Sequence, residues 1–361
     1  MLLLTTVSSL VFALASQQSL QGQLPKDDLG VTQFLLEHPE YNGKGIRVAV
    51  LDTGIDPGHP FLQTTPDGRR KIVDWYDATT DALLPTDYVV KQSAGHITGL
   101  SGRDIDLGKY AKYQEFHLGR IGAEFFPSSL SGRIAGDRNA DFEEAQVRYN
   151  EAQVGAEESD ATLESVIAAR NANALMADGP VYDVIVYSTS AGWRVVIDSD
   201  EDGDLGEEQA LAPFKESGDW ATLGDESNMN YAVNVSDDGN MTSIYFDAHG
   251  HGTHVAGIIG SYEGEGARLN GIAPGVEFVA IKIGDSKVGG STSGFAVSKA
   301  LDYAVEAGCQ IANMSFGGPS FYADGREPDD WVVEEAAKRG LLLVTSAGNE
   351  GPTLSTVGSP G

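Results

Sequence analysis

The chain of 361 residues has a single cysteine, Cys309, so no disulfide can form within it. That thiol sits between a helical pattern and an apolar run, the setting of a buried structural cysteine rather than an activated nucleophile. Positive charge is also scarce: Lys and Arg number 24 against 53 Asp and Glu, a formal net charge of −29. So acidic a surface repels nucleic acid and anionic membrane, and no polyanionic partner is expected. Long apolar runs are missing after the first residues. Met1 to Ala15 is almost wholly apolar but too short to span a bilayer as a mature helix. It ends Ala13-Leu14-Ala15, a small-x-small cleavage pattern, which reads as a signal peptide over 1–15 and a secreted or periplasmic mature protein without membrane attachment. No Lys or Arg precedes Lys26, so a cytoplasmic protein with a hydrophobic N-terminal arm is the other reading. Repeats and low-complexity linkers are absent as well.

What is present is organised around His249-Gly250-His251-Gly252-Thr253-His254-Val255-Ala256-Gly257-Ile258-Ile259-Gly260. An imidazole between glycines leads straight into small and branched apolar residues, as when a helix presents a side chain to a cleft while its body packs tightly. Exposed glycines there would each cost about 1 kcal/mol against alanine, so a buried helix with a second backbone pressed close is expected. His251 is then a general base at a helix start, with a satisfied core histidine as the plainer reading, and His254 packs. Ile46 to Leu51 is apolar at nearly every position, as parallel strands are, and ends in Asp52-Thr53-Gly54. That puts a carboxylate at the C-terminal edge of a central strand, where α/β sheets bind ligands. Further on, strands at 276–283, 310–316 and 341–345 alternate with helices at 292–307 and 329–339. Phe295, Leu301, Ala304 and Val305 are candidate core positions of the first helix. Strand–helix alternation with short joins gives an α/β fold with a parallel, doubly wound sheet.

Between the aspartate and the histidine lies a long, less regular block, 63–246, expected as a mixed insertion. It has a strand at 71–76, a polar helical stretch over 141–177, strands at 181–187 and 193–197, and a hairpin at 231–246 split by Asp237-Asp238-Gly239-Asn240. Within it, Asp198, Asp200, Asp202 and Asp204 alternate around Gly203. Carboxylates at alternate positions with a glycine sixth are the opening of a calcium loop. The twelfth position is Gln209 instead of a bidentate Glu, so a solvated acidic turn competes with a structural calcium.

Asp52-Thr53-Gly54, His251-Gly252-Thr253-His254-Val255-Ala256-Gly257, Asn313-Met314-Ser315-Phe316-Gly317-Gly318 and Ser346-Ala347-Gly348-Asn349, in this order, resemble the motifs of the subtilisin family of serine peptidases. The resemblance covers about 43–60 and 245–361. The 199-position interval from Asp52 to His251 is far longer than in ordinary subtilisins and resembles the tripeptidyl peptidase II branch. So do Leu24-Pro25-Lys26, His38-Pro39-Glu40-Tyr41, Pro180-Val181-Tyr182-Asp183, Asp198 to Leu205 and Leu354-Ser355-Thr356-Val357-Gly358, which extends the peptidase domain to 24–361. The resemblance implies an Asp-His-Ser triad acting on polypeptide without a catalytic cofactor. His251 would be the general base, Asp52 its orienting carboxylate and Asn349 the oxyanion donor. Ser315, Phe316 and Gly317 would form the strand that pairs with substrate.

The family places its serine in a Gly-Thr-Ser-Met-Ala-like turn beyond the oxyanion asparagine, and no such turn stands in these 361 residues. Ser315, Ser346 and Ser355 fall in stretches with other roles, so the nucleophile is expected beyond this fragment. The tripeptidyl branch holds the substrate's free amino terminus with acidic side chains. Thr292 and Gly318 stand where those acids belong, which favours an endopeptidase, unless Asp285 or Glu327 supplies the clamp. Tripeptidyl release is the alternative. A non-catalytic relative used as a binding module, and a metal hydrolase using His249, His251 and His254, are the rivals from other classes.

Overall fold

A computed structural model describes residues 24–153, 180–224, 227–286, 290–320, 328–353 and 356–361. The signal peptide expected over 1–15 lies outside them, as do Glu327, Ser355 and positions 154–177 of the expected polar helix. The scaffold is a five-stranded sheet of β1 (Arg47–Asp52), β2 (Ile72–Asp77), β3 (Glu277–Lys282), β4 (Ile311–Met314) and β5 (Leu342–Thr345). Its spatial order is β5-β4-β1-β3-β2, with every neighbouring pair parallel. The order turns back at β1, so the crevice of the switch point opens beyond the C-terminal end of that strand.

The apolar run of β1 is continuous because both of its faces are covered. Val48 and Val50 pack with Phe278, Val255 and Ala256 on one side, while Ala49 and Leu51 pack with Val279, Ile281, Val297 and Leu301 on the other. The first face carries α1 (His251–Gly260), and the second carries α2 (Gly294–Glu306) and α3 (Pro328–Lys338). Ser293 starts α2 by accepting a hydrogen bond from the Ala296 amide, which satisfies one of the free donors of the first turn. Leu301 and Ala304 are buried and Val305 packs partly against the same cluster. Phe295 departs from the expectation. It is 71 % exposed, because the first turn of α2 projects it away from the sheet, beneath the Lys299 ammonium. Cys309 is buried, and burial pushes its thiol up to about 12, consistent with a structural role.

The block 63–246 is not one inserted body. Ile72–Asp77, expected to belong to it, is the edge strand of the main sheet, paired with β3. Among the described residues the remainder builds two antiparallel four-stranded sheets and a two-stranded ladder of His96–Thr98 with Asp104–Asp106. One four-stranded sheet contains Leu83–Pro85, Ala221–Leu223, Met229–Val235 and Met241–Tyr245; the other contains Tyr88–Lys91, Glu115–Ile121, Tyr182–Thr189 and Gly192–Ile197. They share a core with Tyr182, Val184, Val233, Ile244 and Phe246 at its centre. The polar helix starts earlier than expected, at Ser128, and is described to Gln153. Tyr245 of the hairpin stacks on Trp75 of β2 at 4.7 Å, so this core abuts the main sheet.

The small residues of α1 divide into two kinds. A Cβ added to Gly252 would lie 2.0 Å from the Gly54 carbonyl oxygen, whereas one added to Gly257 meets nothing within 4 Å. Gly252→Ala therefore forces α1 away from β1 and should lower Tm by several degrees. Gly257→Ala should raise stability by about 0.5–1 kcal/mol through helix propensity alone. Thermal unfolding of the two variants checks this; equal effects would contradict the close approach.

Candidate active site

Asp52 ends β1 wholly buried, and His251 begins α1 with its ring half exposed in the crevice. The two meet at 2.7 Å between Asp52 Oδ1 and His251 Nδ1. The Thr53 amide also donates to Asp52 Oδ1, at 2.8 Å, while the buried Oδ2 accepts no hydrogen bond. Burial raises the Asp52 carboxyl above its ordinary value, against the hydrogen bonds from His251 and Thr53 and the attraction of His251, which lower it. With Nδ1 held by the carboxylate, the far nitrogen, Nε2, is left to exchange a proton with a reacting group.

Two residues outside the motif roles hold this geometry. Asp247 accepts from the amides of His249, Gly250 and Thr253 and from the hydroxyls of Thr253 and Thr53. Thr53 in turn accepts from the Gly252 amide, at 3.1 Å. The Gly252 and Thr253 amides, free donors in the first turn of α1, are thereby satisfied and tied to the end of the strand that carries Asp52. Asp247 stands four positions ahead of the helix, outside the N-cap position held by Gly250, so no local capping signal marked it.

The crevice beside His251 is a cleft of about 330 Å³ whose lining includes Ser315, Phe316, Gly317, Ser346, Asn349 and Glu350. Every expected catalytic and substrate-binding residue except the buried Asp52 therefore borders one space. Ser315 to Gly317 continue beyond the end of β4, and Phe316 turns its ring edge-on to His251 at 6.0 Å. Asn349 follows β5, exposed to the cleft, and its backbone N–H donates to Glu350 Oε2 at 2.8 Å. The segment 358–361 closes one wall, with Gly318 and Ser359 exchanging backbone hydrogen bonds. Ser346 does not face His251 as a partner; its hydroxyl donates to the Phe316 carbonyl.

Residues 43–361 match the model of the subtilase family. The chain belongs to the subtilase family. It is 32 % identical to tripeptidyl-peptidase 2 of Oryza sativa subsp. japonica, over 97 % of this chain and 28 % of that protein. It is 35 % identical to tripeptidyl-peptidase 2 of Caenorhabditis elegans, over 94 % of this chain and 26 % of that protein. A crystal structure of tripeptidyl peptidase 2 superposes with a TM-score of 0.70 at 24 % identity, covering 92 % of this chain and 28 % of the other, which supports the shared fold. The chain spans roughly a quarter of the length of these relatives.

Two expectations about this subtilase chain need correction. His254, expected to pack, is exposed and lines a different cavity from His249 and His251, so the rival reading of the three as metal ligands has no convergent set either. In the acidic loop, Asp198, Asp200 and Asp202 come together with Glu208, not with Asp204. Asp204 instead accepts from the Gly206 amide. Sequence spacing pointed to the twelfth loop position, but the carboxylate that returns to the cluster stands at the eleventh.

The buried Asp52 charge has a consequence for stability. Its folded-state value is raised, so ionising it is penalised fully above that value and not at all below the ordinary carboxylate value of about 4. Asp52→Asn should therefore raise Tm at pH 8, with the gain vanishing below about pH 4. A variant that melts at or below the wild type at pH 8 would contradict a net burial penalty.

Proposed function

We propose that the complete protein is a serine endopeptidase whose Asp and His lie in this chain and whose serine lies outside these 361 residues. The observation that carries the proposal is the 2.7 Å contact between the buried Asp52 and His251 at the rim of the cleft lined by Asn349 and Ser315–Gly317. In this mechanism His251 takes the serine proton as the hydroxyl attacks the scissile carbonyl, then delivers it to the departing amine. Asp52 keeps the proton on Nδ1 and stabilises the imidazolium. The Asn349 side-chain amide donates to the oxyanion, and the acyl half of the peptide pairs with Ser315–Gly317.

The preference for cutting within chains rests on charge. Three extended residues span about 10 Å, so an enzyme that counts three from a free amino terminus needs an anion at that distance from the scissile bond. Among the described residues lining the cleft the one carboxylate is Glu350, beside the oxyanion donor. Asp285 and Thr292 line a separate cavity with Lys299, and Gly318 has no side chain. Tripeptidyl release is the second reading, favoured by the name of the relatives that align with nearly the whole chain. The apolar stretch 1–15 supports export, with cleavage after Ala15 observable by N-terminal sequencing of the secreted product.

The full-length protein should cleave a peptide and its N-acetylated form at comparable kcat/KM. Release of tripeptides from the free form alone would establish the exopeptidase instead. In the same assay Asn349→Ala should lower kcat about 10²–10³-fold and Asp52→Asn about 10⁴-fold. Turnover indifferent to both would place the chemistry on other residues, and no turnover by the wild type would favour a non-catalytic relative.

A further inference from the structure

The turn after β3 borders the cleft and is pressed against both Asp52 and Phe316. The Ile283 and Gly284 amides donate to the Asp52 carbonyl, at 2.8 and 3.2 Å. A Cβ added to Gly284 would stand 3.2 Å from the Phe316 ring, 3.2 Å from Thr53 Cγ2 and 2.9 Å from the Gly290 carbonyl. Gly290 itself lines the cleft, with its amide on the Asp285 carbonyl at 2.8 Å, while the Asp285 amide donates to the Ser291 carbonyl at 2.9 Å. Where packing is this close, a shift of the turn is passed on to Phe316 and Gly290.

Backbone hydrogen bonds to Asp52 fix the inner end of the turn, and a buried charge fixes the outer end. Asp81, its side chain 1 % exposed, accepts at Oδ2 from the Ser286 amide at 2.8 Å and the Ser286 hydroxyl at 2.6 Å. The wholly buried Lys282 ammonium reaches the same oxygen at 3.2 Å, donates to the Gly284 carbonyl at 2.7 Å and lies over the Phe246 ring. Burial raises the Asp81 carboxyl, yet the Lys282 charge and the Ser286 hydrogen bonds outweigh it and hold the group below its ordinary value. A buried pair often adds no stability over apolar residues of similar volume, so stability alone does not account for it. The loop that delivers Asp81 is also built under strain. Thr80 holds φ 79°, a left-handed conformation unfavourable for a β-branched residue, and Asp77 braces the loop by accepting from the Thr79 and Ala82 amides at 2.8 and 2.9 Å.

We propose that the Lys282–Asp81 pair positions the acyl-side wall of the cleft: through Ser286 it holds Gly284 and Gly290 against Phe316, and so sets the affinity for substrate residues beyond the one at the scissile bond. The inference rests on the reading of the cleft as a peptide-binding groove. Asp81 and Lys282 are positioning residues, since neither reaches the substrate.

The test uses the full-length protein and two substrates. Acetyl-Phe 4-nitrophenyl ester carries one residue on the acyl side. Ala-Ala-Phe 4-nitroanilide carries three and a free amino terminus, which both the endopeptidase and the tripeptidyl reading accept. Asp81→Ala combined with Lys282→Met removes the two charges together, so neither is left buried alone. Ser286→Ala removes only the hydroxyl donor and should keep the wild-type circular dichroism. KM for the anilide should rise about tenfold in the double variant and about threefold in Ser286→Ala, with kcat for the ester within about twofold of wild type. The calorimetric Kd of the tripeptide Ala-Ala-Phe should weaken in step, and that readout needs no turnover. Ile105→Ala, buried in the remote ladder of His96–Thr98 with Asp104–Asp106, should lower Tm and leave the anilide KM unchanged. An anilide KM and a tripeptide Kd unchanged in both variants would overturn the proposal, as would an equal rise of KM in Ile105→Ala. An inactive wild type would sink the catalytic reading, while the tripeptide Kd still decides this one.

Discussion

The contact between Asp52 and His251 is the constraint that the rest of the structure serves. It joins a strand end and a helix start 199 positions apart, and it works only if the carboxylate is buried beneath the ring. Burial opposes ionisation, so the pair does not stabilise its own surroundings. Position is supplied by β1, covered on both faces, and by the Gly54–Gly252 approach, which brings the backbone of α1 against the strand. Asp247 and Thr53 then pin the first turn of α1 to that strand, so the imidazole is aimed by its helix as well as by its carboxylate.

The block between the two residues is joined to the same edge of the sheet. Lys282, in register with Asp52 across β1 and β3, is wholly buried; its ammonium donates to the Gly284 carbonyl at 2.7 Å and pairs with Asp81 at 3.2 Å. Asp81 also accepts from the amide and hydroxyl of Ser286. A carboxylate from the connection after β2 thus fixes the turn after β3, next to the strand that ends at Asp52. With the Trp75–Tyr245 stack, this makes the antiparallel sheets an extension of the peptidase core.

How far each feature could be foreseen follows from the range of the forces that set it. β1, β3, β4 and β5, together with α2 and α3, were placed within a few residues of their observed bounds, because apolar patterning and caps act locally. The edge strand Ile72–Asp77 was recognised as a strand, yet its assignment to an insertion failed, because pairing with β3 is a contact across some 200 positions. Phe295 was misread because helical period gives a face but not which first-turn residue the neighbouring elements leave uncovered. The acidic loop shows the same limit: alternation identified Asp198, Asp200 and Asp202, while the fold of the returning chain exchanged Asp204 for Glu208.

Residue chemistry and order by themselves determined the parallel α/β scaffold, the buried cysteine and the choice of Asp52, His251 and Asn349 as the residues to look for around one cleft. Those depend on side-chain type and on motifs a few residues long. Only the tertiary structure decided that the carboxylate is buried and singly bonded to the imidazole, that Asp247 holds the helix start, and that Glu350 is the one carboxylate among the described residues lining the cleft. Burial, convergence and electrostatic surroundings are properties of neighbours distant in the chain, and no local pattern encodes them.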